Sequence, residues 1–184
     1  MQWLRDLSLP KKMLTYVSGI LAILLIFGIF NIKTMSDLQK KLDSVEQEYL
    51  PNALIAKDMK RNIVQIQQWL TDISATRGMD GLNDGFDEAA KSYSDVLNNY
   101  TDFKEFYANN PAKLQQLNEV KSALDAYYAQ GKIMAQAYID GGPESGNKIM
   151  GSFDSAAEKM DSLVTPFLDE QVLLVNDSVT KTNA

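Results

Sequence analysis

Residues 35–77, MSDLQKKLDSVEQEYLPNALIAKDMKRNIVQIQQWLTDISATR, carry the pattern that decides the fold. Met35, Leu38, Leu42, Val45, Tyr49, Asn52, Ala56, Met59, Ile63, Ile66, Leu70, Ile73 and Arg77 follow one another at alternating spacings of three and four. That alternation is the seam of one long amphipathic helix and does not fit the period of two of a half-buried strand.

On the N-terminal side, residues 13–32 read MLTYVSGILAILLIFGIFNI without a charge. About 20 residues at about 1.5 Å each cross a hydrocarbon core about 30 Å thick, which predicts a transmembrane helix over 13–32. Arg5, Lys11 and Lys12 precede it, whereas Asp37, Asp43, Glu46 and Glu48 dilute Lys33, Lys40 and Lys41 after it. The basic bias places residues 1–12 in the cytoplasm and 33–184 outside it. Trp3 and Tyr16 suit the inner interface. A cleaved signal peptide is the rival reading, but the apolar run exceeds an ordinary signal core and no small-x-small cleavage site follows it.

On the C-terminal side the helical period recurs three more times. Gly78, Gly81 and Gly85 break the first helix, and Asn83 and Asp84 are capping candidates ahead of Phe86. A second helix then presents Phe86, Ala89, Tyr93, Val96, Leu97, Tyr100, Phe103 and Tyr107. At Asn109-Asn110-Pro111, Asn110 can cap and Pro111 can open a third helix with Leu114, Leu117, Val120, Leu124, Tyr127, Met134 and Tyr138. Asp140-Gly141-Gly142-Pro143 repeats the stop, and Ile149, Phe153, Ala156, Met160, Leu163 and Phe167 open a fourth. The predicted fold class is all-α: an up-down-up-down four-helix bundle with long first and fourth helices, preceded by one transmembrane helix.

The unequal lengths leave only two helices per chain nearest the membrane. Pro51 and Pro166 fall near that boundary, and interior prolines remove a helical hydrogen bond and kink. They are the candidate signal-transmission residues, expected at one height, with the seam changing phase after Pro166. A two-helix stalk has little interior of its own, so a homodimer through the first and fourth helices is expected. The end at residues 179–184, VTKTNA, has no helix-stop signal beyond polarity, which reads as a fragment of a longer chain.

Composition narrows the chemistry. Hydrophobic residues make up 45% and charged residues 23%, the balance of a folded chain rather than a disordered one. With neither cysteine nor histidine, thiol nucleophiles, disulfides and the commonest general base and zinc ligand are excluded. No buried pair of acids stands out, so no enzyme, no cofactor and no metal is expected. Asp80, Asn83, Asp84, Asp87 and Glu88 crowd one turn, but their order departs from the calcium-loop pattern and acids at a helix start need no metal. A net charge of -6 without basic clusters argues against nucleic acid as a partner.

The layout of a membrane helix, a long helix leaving it, two shorter helices and a long returning helix resembles the N-terminal half of bacterial methyl-accepting chemotaxis proteins. Residues 50–78, LPNALIAKDMKRNIVQIQQWLTDISATRG, with DGLNDGFDEAA at 80–90, look like a segment of one group of such receptors. The resemblance implies a periplasmic four-helix-bundle sensor domain at 33–184, anchored in the inner membrane. It implies a small-molecule ligand or a periplasmic binding protein as partner, with the second membrane helix and the cytoplasmic signalling part absent from this stretch. Similar sensor bundles serve histidine kinases and diguanylate cyclases, and a membrane-anchored dimeric scaffold without ligand is the reading from another class. Family aspartate and serine receptors use closely spaced arginines, whereas Arg61 and Arg77 here are more than four turns apart; Arg77, at the helix end, is expected to cap.

Within the first helix, polar residues of the window 61–72 interleave with the seam. Matching heights through the prolines sets residue 65 near residue 152. The candidate ligand-binding residues are therefore Arg61, Asn62, Gln65, Gln68, Trp69, Ser152 and Phe153, with amide hydrogen bonds holding a small molecule between Trp69 and Phe153 as walls. Against this stands the ordinary role of such residues, with glutamines facing solvent and tryptophan packing the bundle.

Overall fold

The computed structural model describes residues 8–182, with side chains from 8 to 180. Trp3 and Arg5, and Asn183 and Ala184 at the other end, lie outside the described residues. The described chain is all-α and forms three helical spans packed together. The first is a rod from Leu9 to Thr76, made of α1 (Leu9–Ser44), a π-helical turn (Val45–Tyr49) and α2 (Leu50–Thr76). α3 (Gly85–Phe106) and α4 (Pro111–Thr182) complete it.

α1 is a long apolar helix with no buried residue. Residues 13–32 of it carry no charge, and polar side chains there and just beyond turn back on the helix: Thr15 Oγ1 donates to the Lys11 carbonyl, Asn31 Nδ2 to that of Phe27 and Thr34 Oγ1 to that of Phe30. The length and composition of this stretch suit a membrane anchor or a signal sequence.

The rod changes pitch just before Pro51. Proline has no amide hydrogen, and in a regular helix its ring collides with the carbonyl four residues back. The chain takes in an extra residue instead: the Leu50 amide donates to the Val45 carbonyl, five residues back. Asn52, buried, gives its side-chain amide to the Glu48 carbonyl at 2.8 Å, so a side chain supplies a bond that the displaced ladder withholds.

The seam does not bury along its whole length. Asn52, Ala56, Met59, Ile66, Leu70 and Ile73 are buried, whereas Met35 and Leu42 remain 65% and 51% exposed. Two causes combine. α3 ends at Phe106 and leaves that lower part of the rod uncovered, and the extra residue in the π turn rotates everything below it by about 100° relative to α2.

α2 ends on Arg77 in the left-handed conformation (φ 54°), its amide donating to the Ile73 carbonyl at 2.7 Å, which is the capping role expected of it. Before α4, Asn110 Oδ1 accepts the Lys113 amide at 3.1 Å and Pro111 opens the first turn, as the sequence predicts. α3 lies antiparallel to the start of α4. Tyr93 stacks on Tyr128 with centroids 4.3 Å apart, its hydroxyl donates to Asp125, and the Tyr100 hydroxyl donates to Asn118 further back along α4.

The stop expected at Asp140–Pro143 is a kink inside α4 rather than an open loop. Two helices meet there at the non-helical Gly142 (φ 62°, ψ -157°), so the four expected helices form three spans. Pro166 is carried inside α4 without such a departure. The bend at Gly142 is nevertheless sharp. Tyr127 and Phe153 stack with centroids 5.3 Å apart; residues so separated in sequence would lie about 39 Å apart along a straight helix. The Tyr138 hydroxyl likewise donates to Asn147 across the bend. α4 thus has two arms, before and after Gly142, lying against each other.

The tyrosines fix the pH response. Burial, then the hydrogen bond and charge of Asp125, push the Tyr93 hydroxyl up to about 12, and burial also raises Tyr107, Tyr127 and Tyr128. Burial pushes Asp125 up as well, but hydrogen bonds from Lys121 and Tyr93 and the Lys121 charge outweigh it and hold this carboxyl below its usual range. A raised tyrosine contributes stability that is whole below about pH 10 and is lost as pH rises through the folded value; a lowered carboxylate contributes stability that is lost as pH falls through its own. The chain has no histidine, the side chain whose ordinary titration range lies between these two. The melting temperature, followed by circular dichroism, is expected to be flat from about pH 5 to 9 and to fall on both sides, the alkaline fall beginning near pH 10. A step between about pH 6 and 7 would contradict this assignment.

Candidate functional site

The polar window of α2 divides between two environments. Arg61 is exposed and ion-pairs with Asp58 one turn earlier. Asn62 is buried and donates to Asp58 Oδ2 at 3.2 Å, and the buried Asn99 of α3 donates to the same oxygen at 3.3 Å. Asp58 is therefore the hub of a polar node tying α2 to α3, with Arg61 balancing its charge from the solvent side. Gln65 donates to Gln68 at 2.6 Å on the helix surface. Trp69 is half-buried against the core, and its backbone carbonyl lies where a Cβ on Gly85 would be 2.8 Å away, so the tight α2–α3 approach depends on that glycine.

Across the interior, the Tyr127 hydroxyl donates to the Ile63 carbonyl at 3.3 Å while its ring stacks on Phe153. Residue 63 of α2 and residue 153 of the second arm are thus at nearly one height, close to the expected pairing of 65 with 152. The side chains do not converge, however. Phe153 is buried in the core and Ser152 faces solvent. Asn62 points inward to Asp58, whereas Arg61 and Gln68 lie on the exposed side. Gln68 shares an open surface groove with Gln67, Thr71, Asp72 and Ala75. Phe153 and Trp69 act here as packing residues.

A second constellation lies at the level of the prolines. The buried Tyr107, at the end of α3, donates its hydroxyl to Gln171 Oε1 at 2.7 Å, and the buried Gln171 returns its amide to the Phe167 carbonyl. Lys113 pairs with Glu170 and lies over the rings of Tyr107 and Phe167 at 6.0 and 5.8 Å. Burial is the main cause that raises the Tyr107 hydroxyl, and the charges of Glu170, Glu48 and Tyr49 add to it. Pro51 follows half a turn above Tyr49. Pro166 lies about one turn from Gln171, lining a cavity of about 240 Å³ with Gln116, Glu119, Ser162, Leu163, Phe167 and Glu170. Counted from the level shared by Ile63 and Phe153, Pro51 lies 12 residues along α2 and Pro166 lies 13 residues along the second arm, about 18 and 20 Å.

Sequence reasoning missed this node. The signal was available: Met160, Val164, Phe167 and Gln171 keep the spacing of four and three, and all are buried. The seam of the second arm runs on past Pro166 through Leu168 and Gln171 instead of changing phase there, and a glutamine in such a row calls for a buried partner. Among the described residues no group of three acidic side chains is placed to hold a metal ion, and the acids at the start of α3 serve its N-terminus. No protein-family model, curated protein or solved structure matches the chain.

Proposed function

We propose that this chain is the extracytoplasmic input domain of a transmembrane receptor of the methyl-accepting chemotaxis type, with residues 13–32 in the inner membrane and 33–184 in the periplasm. The observation that carries the reading is helical continuity: one rod from Leu9 to Thr76 joins an apolar, unburied segment to a packed helical body. A movement of α2 in the body is thereby a movement of the membrane segment. The folding back of α4 on itself at Gly142 supports the reading, because two arms of α4 beside α2 and α3 are compatible with the up-down-up-down bundle of such receptors. The sensor domain of a histidine kinase or diguanylate cyclase fits the same geometry with another output.

A homodimer through the rod and the second arm of α4 belongs to this proposal. Leu50, Leu54 and Val64 on α2, and Leu173 on α4, are large apolar side chains left 44%, 58%, 45% and 61% exposed. A second copy of the chain is the covering that a membrane-held protomer meets most readily. The ligand is a small molecule or a periplasmic binding protein, and the surface of Gln65, Gln67, Gln68 and Thr71 offers amide and hydroxyl partners to either.

Thermal unfolding of the full chain in nanodiscs, with organic acids, amino acids and small aromatics in turn, tests the sensor. A ligand at a hundred times its dissociation constant adds about 2.7 kcal/mol, a shift of several degrees. Loss of that shift in Gln68→Ala would place the ligand on the window. No shift with any compound, together with an intact dimer by sedimentation, would favour the scaffold that only dimerises or docks a protein.

A further inference from the structure

We propose that the π turn Val45–Tyr49 is a rotary joint between the membrane helix and the packed body, held open by Pro51. A π turn stores one residue outside the α-helical register. On collapse to regular helix it releases that residue, so α1 advances by about 1.5 Å and turns by about 100° relative to α2.

Three observations converge on this turn. Its hydrogen bonding is displaced, with Leu50 bonded five residues back and the side chain of Asn52 serving the Glu48 carbonyl. Its cause is local: Pro51 forbids the regular ladder at the very place where the turn occurs, so the irregularity is written into the sequence rather than imposed by packing. Its surroundings permit motion on one side only. Above it, α2 is fixed by Asn52, Ala56 and Met59 in the core, while below it no residue from Leu9 to Tyr49 is buried. The rod meets α4 there at a cleft lined by Lys41, Ser44, Tyr49 and Ser178. The turn also packs against α4, whose two arms are tied to each other by Lys113 and Glu170 and to the end of α3 by Tyr107 and Gln171. A shift of the body bears first on the element that separates α1 from α2.

The use of this joint in signalling rests on the receptor reading above; its geometry does not, and the test reads the geometry. The chain has no cysteine of its own, so introduced pairs report without background. In the full chain in nanodiscs, Lys41→Cys with Ser178→Cys is expected to form a disulfide at least severalfold faster than Leu42→Cys with Ser178→Cys, because Lys41 and Ser178 line one cleft to which Leu42 does not contribute. Pro51→Ala removes the obstacle to the regular ladder. The turn then closes, each lower position is replaced by its C-terminal neighbour, and the preference reverses to Leu42. Deleting Gln47 in the Pro51→Ala background withdraws the stored residue and is expected to restore the Lys41 preference, which a merely misfolded variant does not do. An unchanged preference in Pro51→Ala, with helix content retained by circular dichroism, overturns the joint, as does a Gln47 deletion that fails to restore it. Fusion of the chain to a receptor output separates the two ideas: a reversed crosslink with unaltered output leaves the joint standing and removes the receptor reading.

Discussion

Phe153→Ala is expected to cost the packed helices about 3–5 kcal/mol, the largest loss of any single truncation considered for this chain. The ring is 1% exposed, stacks on Tyr127 at an interplanar angle of 14°, and lies so close to Gly131 that a Cβ there would meet Phe153 Cε2 at 2.9 Å. Helix backbone on one side and an aromatic face on the other leave little room for collapse, and a cavity that stays open carries its full penalty in lost contacts. The loss extends beyond the ring itself. Tyr127 is positioned by Phe153 and donates to the Ile63 carbonyl of α2, so truncation also loosens the tie between the arms of α4 and the rod. Urea unfolding followed by circular dichroism gives the number, and Phe153→Leu serves as the milder replacement, expected to lose about half as much or less. Were Phe153 instead the wall of a ligand site, its truncation would spare the free protein and abolish ligand-induced stabilisation. A loss below about 1 kcal/mol would therefore overturn its role as a core residue.

How far the sequence disclosed this structure depends on the range over which each feature is determined. The α2 seam, the glycine break after Arg77 and the Asn110–Pro111 restart are written within a turn or two of chain, and the residues that carry them are adjacent. The assignment of Phe153 to a ligand wall was a different kind of inference. Periodicity put it on the right face at nearly the right height, but whether that face meets solvent or another ring was decided by Tyr127, on the other arm of α4. The same holds for Asn62, whose partner Asp58 is local but shares its oxygen with Asn99 of α3. A window rich in amides does not announce which of them are already engaged. The π turn lies between these cases: Pro51 signals an interrupted ladder, yet a kink, a break and an added residue all answer that interruption, and the hydrogen bond from Leu50 to Val45 tells which one the chain adopts.

Gly142→Ala is the substitution on which the architecture of α4 turns, with an expected loss of about 1–3 kcal/mol from backbone conformation alone. At φ 62° and ψ -157°, Gly142 occupies a region that is essentially closed to residues with a Cβ. Steric crowding by neighbours is not the reason, since an added Cβ would lie at an ordinary 3.5 Å from the Arg77 guanidinium. The cost is thus the strain of holding alanine in that conformation, and the chain has a way to escape it. The segments on either side of Gly142 have no other non-helical residue, so an alanine that refuses the bend lets them join as one straight rod about 108 Å long. A straight rod separates Tyr127 from Phe153 and Tyr138 from Asn147, and those surfaces are covered again when the second arm of another copy takes the vacated place. The expected result is therefore a lowered melting temperature together with exchange of arms between copies, detected by a disulfide between Tyr127→Cys of one copy and Phe153→Cys of the other. Gly151→Ala is the control: nothing lies within 4 Å of its added Cβ, its φ is not left-handed, and it is expected to leave stability unchanged or slightly raised. Equal effects from the two glycines would mean that Gly142 is ordinary helix and that the reversal of α4 has another cause.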